Sequence, residues 1–146
     1  MFVSDVMTAN PVTIGPHENL RSAIDQMKSI ECRRLPVVNE YGDLIGIVTD
    51  RDTRLAMNSP YIADQANQDD IILDNVTVRE CMTSAPITVE PTTNLLQATS
   101  LMLRHHIGGL PVLLGESLVG IVTATDVMSA FVRMLQAEKN THNLPL

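Results

Sequence analysis

The sequence is poor in the residue types that several classes of site require. It has no tryptophan, two phenylalanines and two tyrosines, so it offers no aromatic platform on which nucleic-acid bases could stack. Its longest basic cluster is Arg33-Arg34, and its formal net charge is −7. Because a polyanion is attracted by a basic surface, we expect no nucleic-acid partner.

The chain also lacks a metal-binding spacing and a hydrophobic run of membrane length. Cys32 and Cys81 are isolated from one another and form no CxxC spacing, which favours burial over a redox role. The four histidines have no companions at ligand spacing, so we predict no metal site. Runs such as Leu44–Val48 are far shorter than the roughly 20 residues of a membrane helix, and the start does not resemble a signal peptide. We expect no membrane contact and a cytoplasmic location.

One unit occurs twice in the chain. Residues 7–38 align with residues 82–113 at an offset of 75, and twelve of these 32 positions are identical. Residues 44–56 align with residues 118–130 at an offset of 74, and seven of these 13 are identical. Such duplication indicates two copies of one supersecondary module, each unable to bury its apolar face alone. We expect the copies to pack face to face and leave two related clefts.

Each copy predicts the element order β-α-β-β-α, which makes the chain α+β. A β-branched, proline-led segment at residues 10–14 or 85–89 indicates a leading strand at a sheet edge. An amphipathic helix follows, opened in the first copy by Glu18 or Asn19. Its apolar stripe is Leu20, Ala23, Ile24 and Met27, matched in the second copy by Leu95, Ala98, Thr99 and Met102. Two apolar runs joined by a short turn with glycine then predict a β-hairpin, followed by a second helix.

The pattern divides the chain into two repeats. We expect residues 1–58 to form the first repeat and residues 76–136 the second. Residues 59–75 are polar and acidic without a sustained period, which indicates a linker. Residues 137–146 are expected to form a fraying tail. The last helix, around Phe131, is broadly apolar, which suits burial against a second subunit or ordinary core packing.

A short motif recurs where each hairpin leads into its second helix. It is GIVTDRD at Gly46–Asp52 and GIVTATD at Gly120–Asp126. Threonine at the N-cap with aspartate three residues later forms a capping box, which alone indicates only a closed helix end. The same geometry suits a nucleotide, because free backbone amides attract an anion and a carboxylate accepts hydrogen bonds from paired ribose hydroxyls. The residues alone leave both interpretations open.

The paired pattern M-T-x-x-P-[VI]-T-[IV], L-P-V and G-I-V-T-x-x-D resembles a tandem cystathionine-β-synthase (CBS) domain pair, or Bateman module, over about residues 3–135. The resemblance implies two repeats packed sheet to sheet with pseudo-two-fold symmetry. It implies a regulatory, non-catalytic module that requires no cofactor and binds AMP, ADP, ATP or S-adenosylmethionine in clefts between the repeats. It also implies a homodimer and a regulated partner protein.

Transferring the family's pocket onto the first repeat motif gives the better-equipped site. Asp52 corresponds to the ribose-binding carboxylate and Thr49 to the hydroxyl. Arg33 and Arg34 stand where the family often places phosphate-binding residues, although the pair also suits a solvated surface. The complete predicted site comprises Thr49, Arg51, Asp52, Arg33, Arg34, Ala85, Pro86, Thr88 and Val112.

The second motif gives a less basic site. It comprises Asn10, Pro11, Thr13, Gly109, Thr123, Thr125 and Asp126. Gly108 and Gly109 replace Arg33 and Arg34, and glycine offers a phosphate only its backbone amide. We therefore expect anionic ligands at the Asp52 site. The Asp126 site is expected to be weaker, selective for a less charged ligand, or empty.

Two other functions stay open on the sequence. One is a structural dimerisation module whose pockets are vestigial. The other is divalent-cation sensing by Asp69, Asp70 and Asp74 of the linker, where we also expect a turn of helix around Tyr61–Gln65. Neither motif aspartate has a nucleophile and base at catalytic spacing, and no phosphate-binding glycine loop is present, so we predict no enzyme activity.

Overall fold

The computed structural model describes residues 1–57 and 66–142, with side chains in the second range from residue 69 onward. The fold is α+β, as predicted, with two three-stranded antiparallel sheets. The chain forms two compact units, which we name after their motif aspartates. The Asp52 unit comprises Pro11–Pro86 and Glu116–Leu118, and the Asp126 unit comprises Met1–Asn10, Ile87–Gly115 and Val119–Leu146.

In its described residues, the Asp52 unit contains the sheet β2-β3-β4 and four helices. Its strands are β2 (Arg34–Val38), β3 (Leu44–Thr49) and β4 (Thr83–Ser84), and its helices are α1 (Leu20–Ser29), α2 (Asp50–Met57), α3 (Ala66–Asn75) and α4 (Val78–Cys81). Asn19 caps α1, as predicted, by accepting a hydrogen bond from the Ser22 amide at 2.9 Å. The buried stripe of α1 packs with β2 and β3 into one apolar core.

The Asp126 unit contains the sheet β1-β6-β5. Its strands are β1 (Thr8–Ala9), β5 (Gly109–Leu114) and β6 (Ser117–Thr123), and its helices are α5 (Leu95–His105) and α6 (Ala124–His142). Asn94 caps α5 by accepting from the Leu96 amide at 2.8 Å. Leu95, Ala98 and Met102 of the predicted stripe are buried in its core. Each repeat therefore sends its leading strand to the hairpin of the other repeat.

The leading strands lie two residues earlier than predicted. Thr8 and Ala9 pair with Ile121 and Gly120, whereas Thr83 and Ser84 pair with Ile47 and Gly46. The strands end there because the next residues, Asn10 and Ala85, have positive φ values of 50° and 46°, which an extended strand cannot continue. A proline without an amide hydrogen follows each of them.

The linker and the tail are more helical than predicted. Residues 66–75 form α3, which packs against α1 and α2 and buries Ile72 to 4% exposure; the turn expected at Tyr61–Gln65 lies outside the described residues. The prediction of a fraying tail from residue 137 is wrong for residues 137–142, because α6 continues to His142. In the described part of the chain, no helix has the length and apolar character needed to cross a membrane.

Candidate functional site

Both motif aspartates cap the N-terminus of the helix in whose first turn they lie. In the Asp52 unit, the Thr49 amide donates to Asp52 Oδ2 at 2.9 Å, and the Asp52 amide donates to Thr49 Oγ1 at 3.1 Å. In the Asp126 unit, the Thr123 amide donates to Asp126 Oδ2 at 2.8 Å, and the Asp126 amide donates to Thr123 Oγ1 at 3.2 Å. The capping boxes predicted from the sequence are therefore confirmed in both units.

The capping boxes use only one oxygen of each carboxylate. Both aspartates are half-buried, and every hydrogen bond that their carboxylates accept within the described residues ends on Oδ2. A carboxylate has two acceptor oxygens with about four lone-pair sites. Oδ1 therefore remains as an acceptor held in a fixed direction by the bonds to Oδ2.

The basic residues of the first predicted site lie beside this helix end. Arg34 is directly opposite Thr49 in the β2–β3 ladder, which places their Cβ atoms about 5 Å apart. The carbonyl of Arg33 accepts a hydrogen bond from the Asp50 amide at 2.8 Å. Arg33 and Arg51 are exposed, and Arg34 is half-buried. The β2–β3 pairing therefore places two of the arginines next to the N-terminus of α2, where the helix dipole also favours an anion.

The Asp126 unit repeats this backbone arrangement without the charges. Gly108 accepts a hydrogen bond from the Ala124 amide at 2.9 Å, as Arg33 does from Asp50. The equivalence of Arg33 with Gly108 that the alignment implied therefore holds in three dimensions. Gly109 is buried in β5, and Thr125, which replaces Arg51, is exposed. The helix end is the same in both units, but the three residues that replace Arg33, Arg34 and Arg51 here carry no charge.

Ala85 and Asn10 lie at the other end of the strand from the motif threonine. The Ala85 amide donates to the Ile45 carbonyl at 3.3 Å, four residues before Thr49 in β3, which corresponds to roughly 13 Å of strand. In the Asp126 unit, the Asn10 amide likewise donates to Val119, four residues before Thr123, at 3.1 Å. Each unit thus brings its leading segment onto the sheet that leads into the motif helix, at the opposite end of the strand from the motif threonine.

The predicted site residues divide between the two units. The Asp52 unit holds seven of the first site, namely Arg33, Arg34, Thr49, Arg51, Asp52, Ala85 and Pro86, and two of the second, Pro11 and Thr13. The Asp126 unit holds the other five of the second site and, from the first, Thr88 and Val112. Thr88 is exposed, whereas Val112 is 0% exposed in the core beside Val89. Val112 therefore does not belong to a surface that a ligand can reach.

Cys81 lies near Asp52, a proximity that was not predicted from the sequence. Burial raises the pKa of the Cys81 thiol, and the negative charges of Glu80 and Asp52 raise it further. The charge of Asp52 reaches the thiol because of the strand pairing. Cys81 ends α4 just before β4, β4 pairs with β3, and β3 leads into α2, which contains Asp52. The strand register sets this proximity, and the sequence spacing of 29 residues gave no signal for it.

The acidic linker is an ion-paired surface. Arg21 of α1 donates to Asp74 at 2.7 Å and to Asp70 at 2.9 Å, and these bonds raise the pKa of Arg21. Two of the three aspartates considered for a cation are thus already paired with a guanidinium group. Within the described residues, no group of His, Cys, Asp or Glu side chains suits a metal ion.

Known proteins are similar to this chain in sequence and fold over nearly its whole length. A CBS domain-containing protein of Dictyostelium discoideum is 34% identical over 138 residues, which cover 93% of this chain and 94% of that protein. The structure of CBSX2, a CBS-pair protein of Arabidopsis thaliana, in complex with AMP has a TM-score of 0.76 at 27% identity, covering 90% of this chain and 97% of that one.

A second solved structure is the CBS domain pair of the protein MJ0100 in complex with 5′-methylthioadenosine and S-adenosyl-L-methionine. It has a TM-score of 0.78 at 26% identity and covers 92% of this chain and 98% of that one. The family model for the CBS domain matches residues 3–59 and again residues 78–133. Together with the two capped helix ends, these matches establish that the chain belongs to the CBS domain family and carries two copies of the domain.

Proposed function

We propose that this protein is a regulatory, non-catalytic module that binds an adenosyl ligand, either AMP, ADP or ATP or S-adenosylmethionine, through Asp52 and Asp126. The proposal rests on the fact that each motif carboxylate uses only one of its two oxygens. Oδ2 accepts the capping hydrogen bond in both units, while Oδ1 has no hydrogen bond within the described residues. The two solved CBS pairs with AMP and with S-adenosylmethionine support the same ligand class.

The capping box and the ligand-binding role are compatible in this proposal. A ribose presents two neighbouring hydroxyl groups, and a carboxylate accepts hydrogen bonds from both when it is correctly oriented. The cap fixes that orientation before the ligand arrives, so little side-chain entropy is lost on binding. The cap therefore pre-organises the acceptor for the sugar.

The two sites are expected to differ in the charge of the ligand. Arg33, Arg34 and Arg51 are residues next to the N-terminus of α2 in the Asp52 unit, whereas Gly108, Gly109 and Thr125 replace them in the Asp126 unit. Guanidinium groups form paired hydrogen bonds with phosphate oxygens. We therefore assign AMP, ADP or ATP to the Asp52 site and a ligand of lower negative charge to the Asp126 site.

A thermal-shift panel with AMP, ADP, ATP, S-adenosylmethionine and Mg²⁺ alone tests the proposal. A ligand at about 100 times its dissociation constant adds about 2.7 kcal/mol to the free energy of unfolding, which is on the order of 5–10 °C for a domain of this size. We expect at least one adenosyl ligand to produce such a shift and Mg²⁺ alone to produce none.

Asp52→Asn is the sharpest variant because it separates the cap from the ligand. The asparagine oxygen can still accept from the Thr49 amide, but an NH₂ donor replaces the free carboxylate oxygen. We expect an unchanged melting temperature without ligand and a loss of at least about tenfold in nucleotide affinity. Asp126→Asn is the matched variant in the other unit, and it should leave the affinity of the Asp52 site unchanged.

The alternative function, a dimerisation module with vestigial pockets, predicts the opposite result. If no adenosyl ligand shifts the unfolding transition, or if Asp52→Asn and Asp126→Asn both leave the ligand response intact, the binding proposal is wrong. The cytoplasmic location and the identity of a regulated partner protein stay predictions.

A further inference from the structure

Helix α2, which carries Asp52, has little packing of its own. It has eight residues, of which one, Thr53, is buried, whereas its counterpart α6 has 19 residues. Helices shorter than about 12 residues are only marginally stable in water without packing partners. The position of α2 therefore depends on its neighbours: β3 leads directly into it, and α1, α3 and α4 pack against it.

The position of α2 also sets the direction of the Asp52 carboxylate. The cap bonds between Thr49 and Asp52 tie the carboxylate to the start of the helix, whereas Arg34 belongs to β2 and Arg33 precedes that strand. A change in the tilt of α2 therefore moves Oδ1 relative to the arginines or breaks the cap. Because α2 is only about 12 Å long, every contact along it lies within about two turns of Asp52.

The sequence of α3 is poorly suited to a helix without a partner. Asp70 and Asp74 are one turn apart, and like charges at this spacing destabilise a helix. Asp74 also lies in the last turn, which contains no basic residue and where the helix dipole disfavours a negative charge. Ile72 is buried, whereas its neighbour Ile71 is 59% exposed. We therefore expect α3 to be helical only where it is docked on α1 and α2.

Arg21 of α1 supplies the positive charge that α3 lacks. Its guanidinium group donates to both Asp74 and Asp70, so one cation offsets the repulsion between the two carboxylates. The Asn19 side chain adds a second link from α1 by donating to the Asp74 carbonyl at 3.4 Å. At the position equivalent to Arg21, α5 carries Leu96, which cannot form such an ion pair. The ionic link therefore belongs to the unit that also holds the arginine-rich site.

We infer that docked α3 holds α2 in the position in which Asp52 binds nucleotide, and that Arg21 controls this docking. The inference rests on the proposed function, and it makes Arg21 a positioning residue that acts through α3 and α2. Exposed ion pairs are individually weak, so one substitution can shift the equilibrium towards undocked α3. By reciprocity, docking raises the nucleotide affinity by the same factor by which bound nucleotide favours docking.

Isothermal titration calorimetry of the full chain with AMP, ADP and ATP tests the inference. Arg21→Leu introduces the residue found at the equivalent position of α5, and it should weaken nucleotide binding about five- to tenfold. Lys28→Leu is the matched control, because it removes the same charge from an exposed position of the same helix. It should change the affinity by less than about twofold. Equal losses in the two variants would reflect the lost positive charge alone and would overturn the inference.

Exchange of the two charges separates the ion pair from other roles of Arg21. Arg21→Asp places a third carboxylate beside Asp70 and Asp74 and should weaken nucleotide binding at least about tenfold. Adding Asp74→Arg restores a pair of opposite charges, and each charge then lies at the helix end that favours it. We expect the double variant to bind within about threefold of the unmodified protein. A double variant as weak as Arg21→Asp would show that the ion pair does not control binding.

Hydrogen exchange of the α3 amides gives a readout that a purely structural role of Arg21 would not change. We expect saturating nucleotide to slow this exchange at least about threefold in the unmodified protein. Without nucleotide, the same amides should exchange faster in Arg21→Leu than in Lys28→Leu. Exchange that nucleotide leaves unchanged would contradict the coupling between α3 and the site.

Failure of this inference differs from failure of the proposed function. If the unmodified protein and Arg21→Leu bind nucleotide equally well, the role of α3 is wrong and the ligand proposal stands. If none of the three nucleotides binds the unmodified protein, both the nucleotide assignment of the Asp52 site and the role of α3 are wrong.

Discussion

Each leading strand ends at a residue with a left-handed backbone conformation, and this residue differs between the two units. Asn10 has a φ of 50° and Ala85 has a φ of 46°. Asparagine tolerates this region because its short polar side chain can hydrogen-bond locally, whereas the alanine Cβ approaches a backbone oxygen and costs about 1 kcal/mol. The backbone strain at Ala85 is thus greater than the strain at Asn10. Strain of this kind tends to be retained where a chain segment must point in a particular direction for function.

Ala85→Gly is therefore expected to stabilise the protein. Glycine enters the left-handed region without a steric cost, and the relief should exceed its extra entropy in the unfolded chain, raising the free energy of unfolding by about 0.5 kcal/mol. Urea denaturation measures the change. Ser84→Gly, one residue earlier in β4, is the matched control and should lower the same quantity by about 0.5–1 kcal/mol. Equal losses for both variants would contradict the assignment of strain to Ala85.

The thiol of Cys81 reports on the charge of Asp52. Burial and the charges of Glu80 and Asp52 raise its pKa, so less of the reactive thiolate is present at pH 8 than in an unhindered cysteine. In a Cys32→Ser background, Asp52→Asn removes one of these charges. The pKa of Cys81 should then fall, and alkylation by neutral iodoacetamide at pH 8 should be faster, by about twofold. As pH rises through the raised pKa, the two rates should converge.

Asp50→Asn provides the control for this measurement. Asp50 lies on the same helix and pairs with Arg54 at 3.3 Å, but it does not contribute to the raised pKa of Cys81. Its replacement should leave the alkylation rate unchanged. If both variants reacted alike, the proximity of Cys81 to Asp52 would be wrong.

At the scale of elements, each sheet depends on a close approach at a motif glycine. A Cβ on Gly46 would lie 2.5 Å from Met82 Sδ and 2.9 Å from the Thr83 carbonyl oxygen. A Cβ on Gly120 would lie 2.6 Å from Met7 Sδ and 3.0 Å from the Thr8 carbonyl oxygen. The methionine ends can move, but the carbonyl oxygens belong to paired strands. The lack of a side chain at the first residue of the motif thus allows the leading strand to pack against the hairpin.

Gly46→Ala and Gly120→Ala should each lower the free energy of unfolding by about 2 kcal/mol, because the added methyl group pushes the short leading strand away from its neighbour. Thermal or urea denaturation measures this. Gly15→Ala is the control, since its Cβ would meet only Glu18 Oε2 at the ordinary distance of 3.9 Å. If that variant cost as much as the other two, the loss would reflect a general intolerance of glycine replacement instead of strand contact.

The elements that the sequence predicted well are those with local signals. The cap at Asn19 and the stripes of α1 and α5 follow from spacing alone, and so do the hairpins. Helix α3 was missed because it buries one large side chain, Ile72, and is held by Arg21 from a distant part of the sequence. The leading strands were misplaced by two residues because β-branched composition does not reveal a left-handed residue.

At the scale of the whole molecule, the candidate site could be predicted because of the duplication, which places the same seven-residue motif at two helix ends. It predicted the carboxylate, the threonine and the charge difference between the copies, and the structure places these at the helix ends. It did not predict that Val112 would be fully buried or that Cys81 would lie near Asp52. Both depend on strand register and core packing, which a motif does not encode. The motif also does not specify the ligand, which stays a proposal.

The net charge of the molecule sets how the homodimer expected from the sequence should respond to salt. Each copy carries a formal charge of −7, so two copies repel one another, whereas exposed apolar side chains such as Phe131 and Leu135 of α6 favour association at any salt concentration. Raising NaCl from about 50 mM to about 500 mM shortens the screening length from roughly 14 Å to roughly 4 Å and leaves apolar burial in place. The dimer dissociation constant measured by sedimentation should therefore fall, by about two- to fivefold. An interface held by ion pairs would weaken over the same range, so a rise in the dissociation constant would show that ion pairs and not apolar side chains join the copies.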